Sequence, residues 1–245
     1  MKVVSVEGFI LGSINYKENS KILNIFTKEY GIIGVISKGC KSPKSKIKSV
    51  SENFTYAVFH LYYNEKGLST LINADVINYF LNIRKDIFKI SFLTYLSELS
   101  KEVYKESSNK EVYDLFISAV LKINDGLNPI VITNILELKY LYFLGVGINL
   151  DGCVVCGKKS ILTFSEYKGG YVCSKCRTNE KIYDQKVLKM LKMYYFVDIS
   201  KICVLDIKDN IIKEVDNILN IYYDHFTGIY IKSKKFLNAL KQNVE

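Results

Sequence analysis

Residues 54–63 read FTYAVFHLYY. In an extended chain, alternate side chains point to opposite faces. Phe54, Tyr56, Val58 and Tyr62 then share one face, and Ala57, Phe59 and Leu61 the other. A sheet with one wet side alternates apolar with polar residues. Here both faces are apolar, which points to a small barrel rather than a one-sided sheet. The neighbouring stretches agree. VEGFILGSI (6–14), SKILNIFTKEYGIIGVISKG (20–39) and STLINADVINYF (69–80) are rich in Val, Ile, Phe, Tyr and Thr, with glycines and polar breaks between them. Short strands of this kind within ~80 residues fit a five-stranded OB-type barrel, expected over residues 1–80.

After Leu81 the apolar spacing changes to a helical one. In 86–106, DIFKISFLTYLSELSKEVYKE, Ile87, Ile90, Leu93, Leu96, Leu99 and Val103 fall on one stripe. KEVYDLFISAVLKIND (110–125) repeats the pattern. Asn128 and Pro129 read as N-cap and first-turn proline of a third, strongly apolar helix ending near Gly145. The three are expected to pack as a bundle. DQKVLKMLKMYYF (184–196) and NIIKEVDNILNIYYDHF (210–226) read as two more helices, and SKKFLNALKQ (233–242) as a last one with Ser233 as N-cap. The expected class is α+β: an N-terminal OB-fold barrel (1–80), then a mainly helical domain (81–150 and 178–245) with an inserted four-cysteine zinc finger (151–177).

The insertion rests on residues 153–176, CVVCGKKSILTFSEYKGGYVCSKC, which hold four of the chain's six cysteines. Cys153 and Cys156 form one C-x-x-C pair and Cys173 and Cys176 another, with sixteen residues between the pairs. That spacing is the one expected of a zinc site. Two intervening residues let a tight turn aim both sulfurs at one ion, at about 2.3 Å each. Gly169-Gly170 marks the turn of a small hairpin that returns the chain to the metal. Two disulfides would need an oxidising compartment, and no signal-peptide pattern opens the chain. Four thiolates close the tetrahedron, so the expected zinc is structural, one ion, without the open position that catalysis needs. His60 and His225 lie far from the cysteines in sequence and read as ordinary histidines; Cys40 and Cys203 read as plain structural thiols.

The formal net charge is +9. Four thiolates with one divalent ion would leave about +7. A basic chain suggests a polyanionic partner, nucleic acid before a membrane surface. The bland alternative is solubility, since lysine, asparagine, isoleucine and tyrosine are abundant throughout. Arg84 and Arg177 are the only arginines among 34 basic residues. Lysine is a flexible point charge rather than the rigid fork that reads guanine edges, so backbone contact without much sequence preference is expected. The sharpest charge feature is SKGCKSPKSKIKS (37–49). Lys38, Lys41, Lys44, Lys46 and Lys48 fall within eleven residues, with no acid between Glu29 and Glu52. Glycine, proline and serines make it a loop, and OB-barrel loops flank the nucleic-acid groove. The 19 tyrosines and 13 phenylalanines offer stacking platforms in principle, but most are expected in the core or half-buried on strands; Tyr16 is one candidate, and the sequence identifies no single base-stacking residue.

EGFILGSINYKENSKILNIFTKEYGIIGVISKGCKSPKSK (7–46) resembles the opening of the bacterial recombination mediator family RecO. Its members begin with an E-G-hydrophobic strand (here Glu7-Gly8), then a Y-x-E-x-[SD] turn (Tyr16 to Ser20), a T-x-x-x-G turn (Thr27 to Gly31) and a K-G loop followed by basic residues (Lys38-Gly39 onward). LGVGINLDGCVVCG (144–157) is similar to the family's passage into its zinc segment, and GIYIKSKKFL (228–237) to its C-terminal K-S-R-x-[FL] signature. Lysines stand where family members often carry arginine. The resemblance implies an OB domain, a helical body and a zinc finger. It further implies binding of single- and double-stranded DNA, strand annealing and partnership with RecR. Recognition of the acidic C-terminal tail of single-stranded DNA-binding protein, and help in loading RecA during RecF-pathway repair, follow as well. Lys17 and Lys21 join the DNA-binding candidates on this basis.

No catalytic residue is expected. GCKSPKSK lacks the P-loop frame G-x-x-x-x-G-K-[ST], and the acids are scattered rather than clustered for a metal pair. Without a targeting segment or a long apolar run, the expected place is the cytoplasm, at the nucleoid, with no membrane partner. The rival readings are a zinc-ribbon nucleic-acid-binding factor in transcription or RNA metabolism, and a structural adaptor whose charge is incidental.

Overall fold

The computed structural model describes residues 2–242. Five strands open the chain: β1 (Lys2–Tyr16), β2 (Ser20–Thr27), β3 (Gly31–Ser37), β4 (Tyr56–Tyr63) and β5 (Ser69–Asn78). They close into a barrel in the order β1-β2-β3-β5-β4. β1 is long enough to pair with two neighbours, so that Gly8 faces Thr27 on β2 and Ala57 on β4. A register shift between Ile10 and Gly12 bends it around the barrel. The seam closes where β3 runs parallel to β5, with Val35 opposite Ser69 and Ile36 opposite Thr70. This order with one parallel seam is the OB fold read from the sequence.

The interior is filled by Val4, Val6, Leu23, Ile25, Phe59 and Leu61 with their neighbours. Of the two apolar faces of residues 54–63, Ala57, Phe59 and Leu61 point inward and are fully buried. On the other face Tyr56 is buried and Tyr62 is exposed. Phe54 lies before the strand, in a left-handed conformation, rather than within it.

Helices follow: α1 (Leu81–Arg84), α2 (Ile87–Ser107), α3 (Glu111–Asn124) and α4 (Pro129–Phe143), then, beyond the cysteine segment, α5 (Gln185–Phe196), α6 (Asp209–Phe226) and α7 (Lys232–Gln242). The chain divides into two compact units, and the division falls within α3, after Ile117. In the first, Phe9 packs edge-on against Phe116 at 4.9 Å between ring centres, and Phe26 against Tyr113 at 5.2 Å. α7 returns to pair with α2. Ser233 is not an N-cap: it lies inside α7, and its backbone N–H and hydroxyl donate to the Glu98 carboxylate at 3.1 and 2.9 Å. The cap is therefore an acid on α2, which also suits the positive end of the α7 dipole.

The second unit, residues 118–231, is built on α4. Asn128 caps that helix through Ile130 and Val131, with Pro129 in the first turn, as expected. Ten of its fifteen residues are buried, so it is the central rod of this unit. α5 and α6 pack around it, and Tyr223 donates to the Glu137 carbonyl at 2.9 Å. Between α4 and α5 the chain makes a small hairpin of β6 (Thr163–Ser165) and β7 (Gly170–Val172). Among the described residues, no helix is long and apolar enough to cross a membrane.

Candidate nucleic-acid interface and metal centre

Residues 38–55 join β3 to β4 and carry the lysine run. They are folded, not loose. Successive turns are closed by Ser42 N–H to Gly39, Ser45 N–H to Ser42 and Lys48 N–H to Ser45. Cys40 and Val50 are buried, and Ile47 packs against the barrel core. The Ser37 and Ser51 hydroxyls meet at 2.7 Å, and Ser51 also donates to the Ile47 carbonyl at 2.6 Å. The segment thus alternates: small and apolar residues plug the barrel end while Lys38, Lys41, Lys44, Lys46 and Lys48 are all exposed. None of these five pairs with a carboxylate among the described residues.

Two hydrogen bonds tie this segment to the β1–β2 turn. Lys41 N–H donates to the Asn19 carbonyl at 3.1 Å, and Gly39 N–H to the Ser20 hydroxyl at 3.2 Å. Exposed Lys17 sits in that turn, with its ammonium 5.5 Å from the Tyr16 ring centre. Lys17 and the five loop lysines therefore share one end of the barrel. Lys21 differs. Its side chain is only 18% exposed and its ammonium lies 3.1 Å from Glu52, so its charge is compensated within the fold, by an acid that spacing alone could not identify.

The arginines are also spent internally. Arg84 donates to the Tyr79 carbonyl at 2.6 Å and the Asn53 carbonyl at 2.5 Å, fixing the far end of the loop. Arg177 donates to the Glu180 carbonyl at 2.7 Å. The cationic surface at the barrel end is lysine alone, suited to phosphates and not to bidentate base reading.

The motif residues between the lysines have structural roles. Glu7 accepts hydrogen bonds from Tyr56 at 2.7 Å and Tyr113 at 3.2 Å. Burial, and then this carboxylate, raise the pKa of both phenols, which remain protonated donors. The Thr27 hydroxyl closes the β2–β3 turn onto the Gly31 carbonyl at 2.8 Å. Gly31 has φ +66°, and a Cβ there would stand 2.0 Å from the Tyr104 hydroxyl oxygen.

The four cysteines meet in the second unit. Each pair sits in a knuckle. Gly157 N–H donates to the Cys153 carbonyl at 2.8 Å, with Gly157 at φ +72°; Cys176 and Arg177 N–H donate to the Cys173 carbonyl at 3.1 and 3.0 Å. All four sulfurs lie within 4.8 Å of one another. Cys156 and Cys173 are separated by 3.7 Å. Four sulfurs at about 2.3 Å from a common ion would stand about 3.8 Å apart along a tetrahedral edge, so this edge fits a metal. The thiol chemistry fits too. Burial acts to raise Cys153, but hydrogen bonds from the Cys173, Val155 and Cys156 backbone outweigh it and hold the thiol down at about 6. Contact with Cys156 and then Cys173 pushes Cys176 up to about 12. Four thiols this close cannot all ionise without a cation between them. The set is positioned to hold a metal ion. Cys203, by contrast, is exposed and remote from the cluster, while Cys40 is buried.

The hairpin is fastened to its helices. Tyr171 donates to the Leu188 carbonyl of α5 at 3.0 Å, and Phe164 packs on Tyr222 of α6. At its base Lys168 pairs with Glu180 at 2.6 Å. The knuckles thus sit on a rigid support.

Comparison with known proteins joins the two halves. A family described as "Recombination protein O N terminal" matches residues 1–80, and one described as "Recombination protein O C terminal" matches residues 84–235. The chain is 31% identical over 241 residues to the DNA repair protein RecO of Halalkalibacterium halodurans, covering 96% of this chain and 94% of that one. It is 30% identical over 244 residues to the DNA repair protein RecO of Bacillus pumilus, covering 98% and 95%. The corresponding protein of Listeria monocytogenes serotype 4b is 31% identical over 239 residues, covering 96% and 93%.

Proposed function

This chain belongs to the RecO family, and from that premise we propose that it is a non-enzymatic recombination mediator that binds single- and double-stranded DNA and anneals complementary strands. The observation that carries the reading is the lysine end of the barrel. Lys17, Lys38, Lys41, Lys44, Lys46 and Lys48 stand exposed on a turn and a loop hydrogen-bonded to each other. Such an array screens the repulsion between two phosphate backbones, so complementary strands meet faster, and no nucleotide is consumed. Lys21 holds Glu52 and contributes little. The absence of an exposed arginine fork at this end favours binding without sequence preference.

Cys153, Cys156, Cys173 and Cys176 would hold one zinc ion. When bound, it would act as a structural cross-link between the two knuckles, with no open position for chemistry. Membership of the family further supports partnership with RecR, recognition of the acidic tail of single-stranded DNA-binding protein, and help in loading RecA in the RecF pathway. The proposed place of action is the cytoplasm, at the nucleoid.

The test is fluorescence anisotropy of a labelled single strand, titrated with protein at 50 and 200 mM salt and without ATP. Tight binding that weakens steeply with salt, and is indifferent to base sequence, is the expected result. No binding at 50 mM salt would remove the reading.

A further inference from the structure

The four clustered cysteines of the second unit differ in access. Cys153 and Cys173 are 3% and 2% exposed, whereas Cys156 is exposed and Cys176 half-buried. Each knuckle therefore has one sealed sulfur and one that reaches water. The sealed ones are also held by the backbone. The Cys153 N–H donates to the Lys158 carbonyl at 2.9 Å, its own carbonyl accepts from Gly157, and the next residue, Val154, donates to the Tyr171 carbonyl of β7 at 2.8 Å. The Cys173 carbonyl accepts two N–H groups, from Cys176 and Arg177. Cys156 lies at the open side, next to Val155, which is also exposed. Its sulfur is 3.7 Å from that of Cys173. The exposed sulfur of one knuckle is thus in contact with the buried sulfur of the other.

We infer that this cluster is a reversible, peroxide-responsive site, in which oxidation replaces the metal cross-link by a disulfide between Cys156 and Cys173. The inference rests on the zinc reading above and adds what the thiolates do when oxidised. The Cys156 thiolate attacks hydrogen peroxide arriving from solvent. An S–O bond forms, the O–O bond breaks and hydroxide leaves, giving a sulfenic acid. The Cys173 thiolate then attacks the Cys156 sulfur; the S–S bond forms, the S–O bond breaks and a second hydroxide leaves. Two electrons pass from the two sulfurs to one peroxide, and two solvent protons turn both hydroxides into water. In-line displacement selects the partner. The leaving oxygen points to water, so the incoming sulfur comes from the buried side, where Cys173 stands. The sulfurs must close from 3.7 Å to about 2.05 Å, which the exposed Cys156 side chain can supply. Cys153 and Cys176 alone cannot close a tetrahedron, so they take up protons and the metal is released. The new bond still joins the two knuckles. The other fastenings of the hairpin, Tyr171 to the Leu188 carbonyl and Phe164 on Tyr222, involve no sulfur. The hairpin therefore keeps its support with either cross-link, whereas a disulfide inside one knuckle would leave the two unjoined.

The test uses the full chain with Cys203→Ser, which removes an exposed thiol remote from the cluster. Metal analysis comes first. Hydrogen peroxide is then added, zinc release is followed with a chromogenic chelator, thiols are counted, and peptides are mapped without reduction. One zinc released and two thiols lost per peroxide consumed is the expected result, with the Cys156 peptide linked to the Cys173 peptide. The oxidised protein should melt well above chelated, reduced protein, and dithiothreitol with zinc should restore the starting state. Any other linked pair would overturn the cross-knuckle disulfide, as would melting no higher than that of the chelated protein. Zinc retained under excess peroxide would overturn the inference and leave the structural zinc standing. Disulfides between chains, rising with protein concentration, would overturn closure within one chain. A chain that holds no metal before oxidation, even after incubation with zinc, would overturn both readings.

Discussion

Replacing Lys38, Lys41, Lys44, Lys46 and Lys48 together by alanine is the perturbation most informative about the barrel end. All five are exposed and none pairs with a carboxylate among the described residues. The loop's shape depends on Cys40, Ile47, Val50 and the Ser37–Ser51 contact, which the changes leave alone. Stability should therefore stay within about 1 kcal/mol. Each phosphate neutralised on a single strand contributes about 0.7 to the slope of log affinity against log salt. If all five lysines contact phosphates, the slope becomes shallower by about 3.5. Between 50 and 200 mM salt, a fourfold change, the native protein should lose about a hundredfold more affinity than the variant. Three contacts would change the slope by about 2. The assay is anisotropy of a labelled oligonucleotide across a salt series. Net charge alone is controlled by a second variant, in which exposed Lys110, Lys186, Lys189, Lys192 and Lys208 become alanine. An unchanged slope in the loop variant, or an equal change in the control, would refute the assignment of DNA to this end of the barrel.

Other outcomes follow from the same structure. Chelation, or Cys173→Ser, should destabilise the second unit by on the order of 5 kcal/mol, and metal analysis should find about one ion per chain; an unchanged melting curve with no metal would remove the cross-link. Gly31→Ala must enter a left-handed conformation against the Tyr104 ring, at a cost of ~2–4 kcal/mol in urea unfolding; a cost below ~1 kcal/mol would mean that the ring moves aside. The hydrogen bond from Lys168 holds Glu180 down at about 2. Its folded pKa is depressed, so its stabilisation is present above about pH 4.5 and is lost as the pH falls through about 2. Melting temperature should thus fall less between pH 5 and 3 in Glu180→Gln than in the native protein, and identical falls would contradict the pairing.

What could be read from the sequence was whatever repeats locally. The double-sided apolar pattern of β4 gave the barrel, because Phe59 and Leu61 alternate with Tyr56 over a few residues. The two C-x-x-C pairs gave the four-cysteine cluster, because each knuckle is a local turn. Helix positions came from apolar spacing, and Asn128 from its place before Pro129. Partners distant in sequence were not legible. Glu52 claims Lys21 across 31 residues, and Glu98 caps α7 across 135. Helix pairing was equally hidden: α2 joins α7, and α4 joins α5 and α6, by contacts that a helical stripe does not specify. The lysine run was visible, but its folded backbone was not, since its anchors are the unremarkable Cys40, Ile47 and Val50.

The most direct test of the central claim is the rate at which two complementary oligonucleotides anneal, followed by fluorescence at moderate salt without ATP, with and without the protein. The account predicts a large acceleration that is reduced in the five-lysine variant and retained in the charge-matched control. An annealing rate unaffected by native protein that demonstrably binds both strands would contradict it.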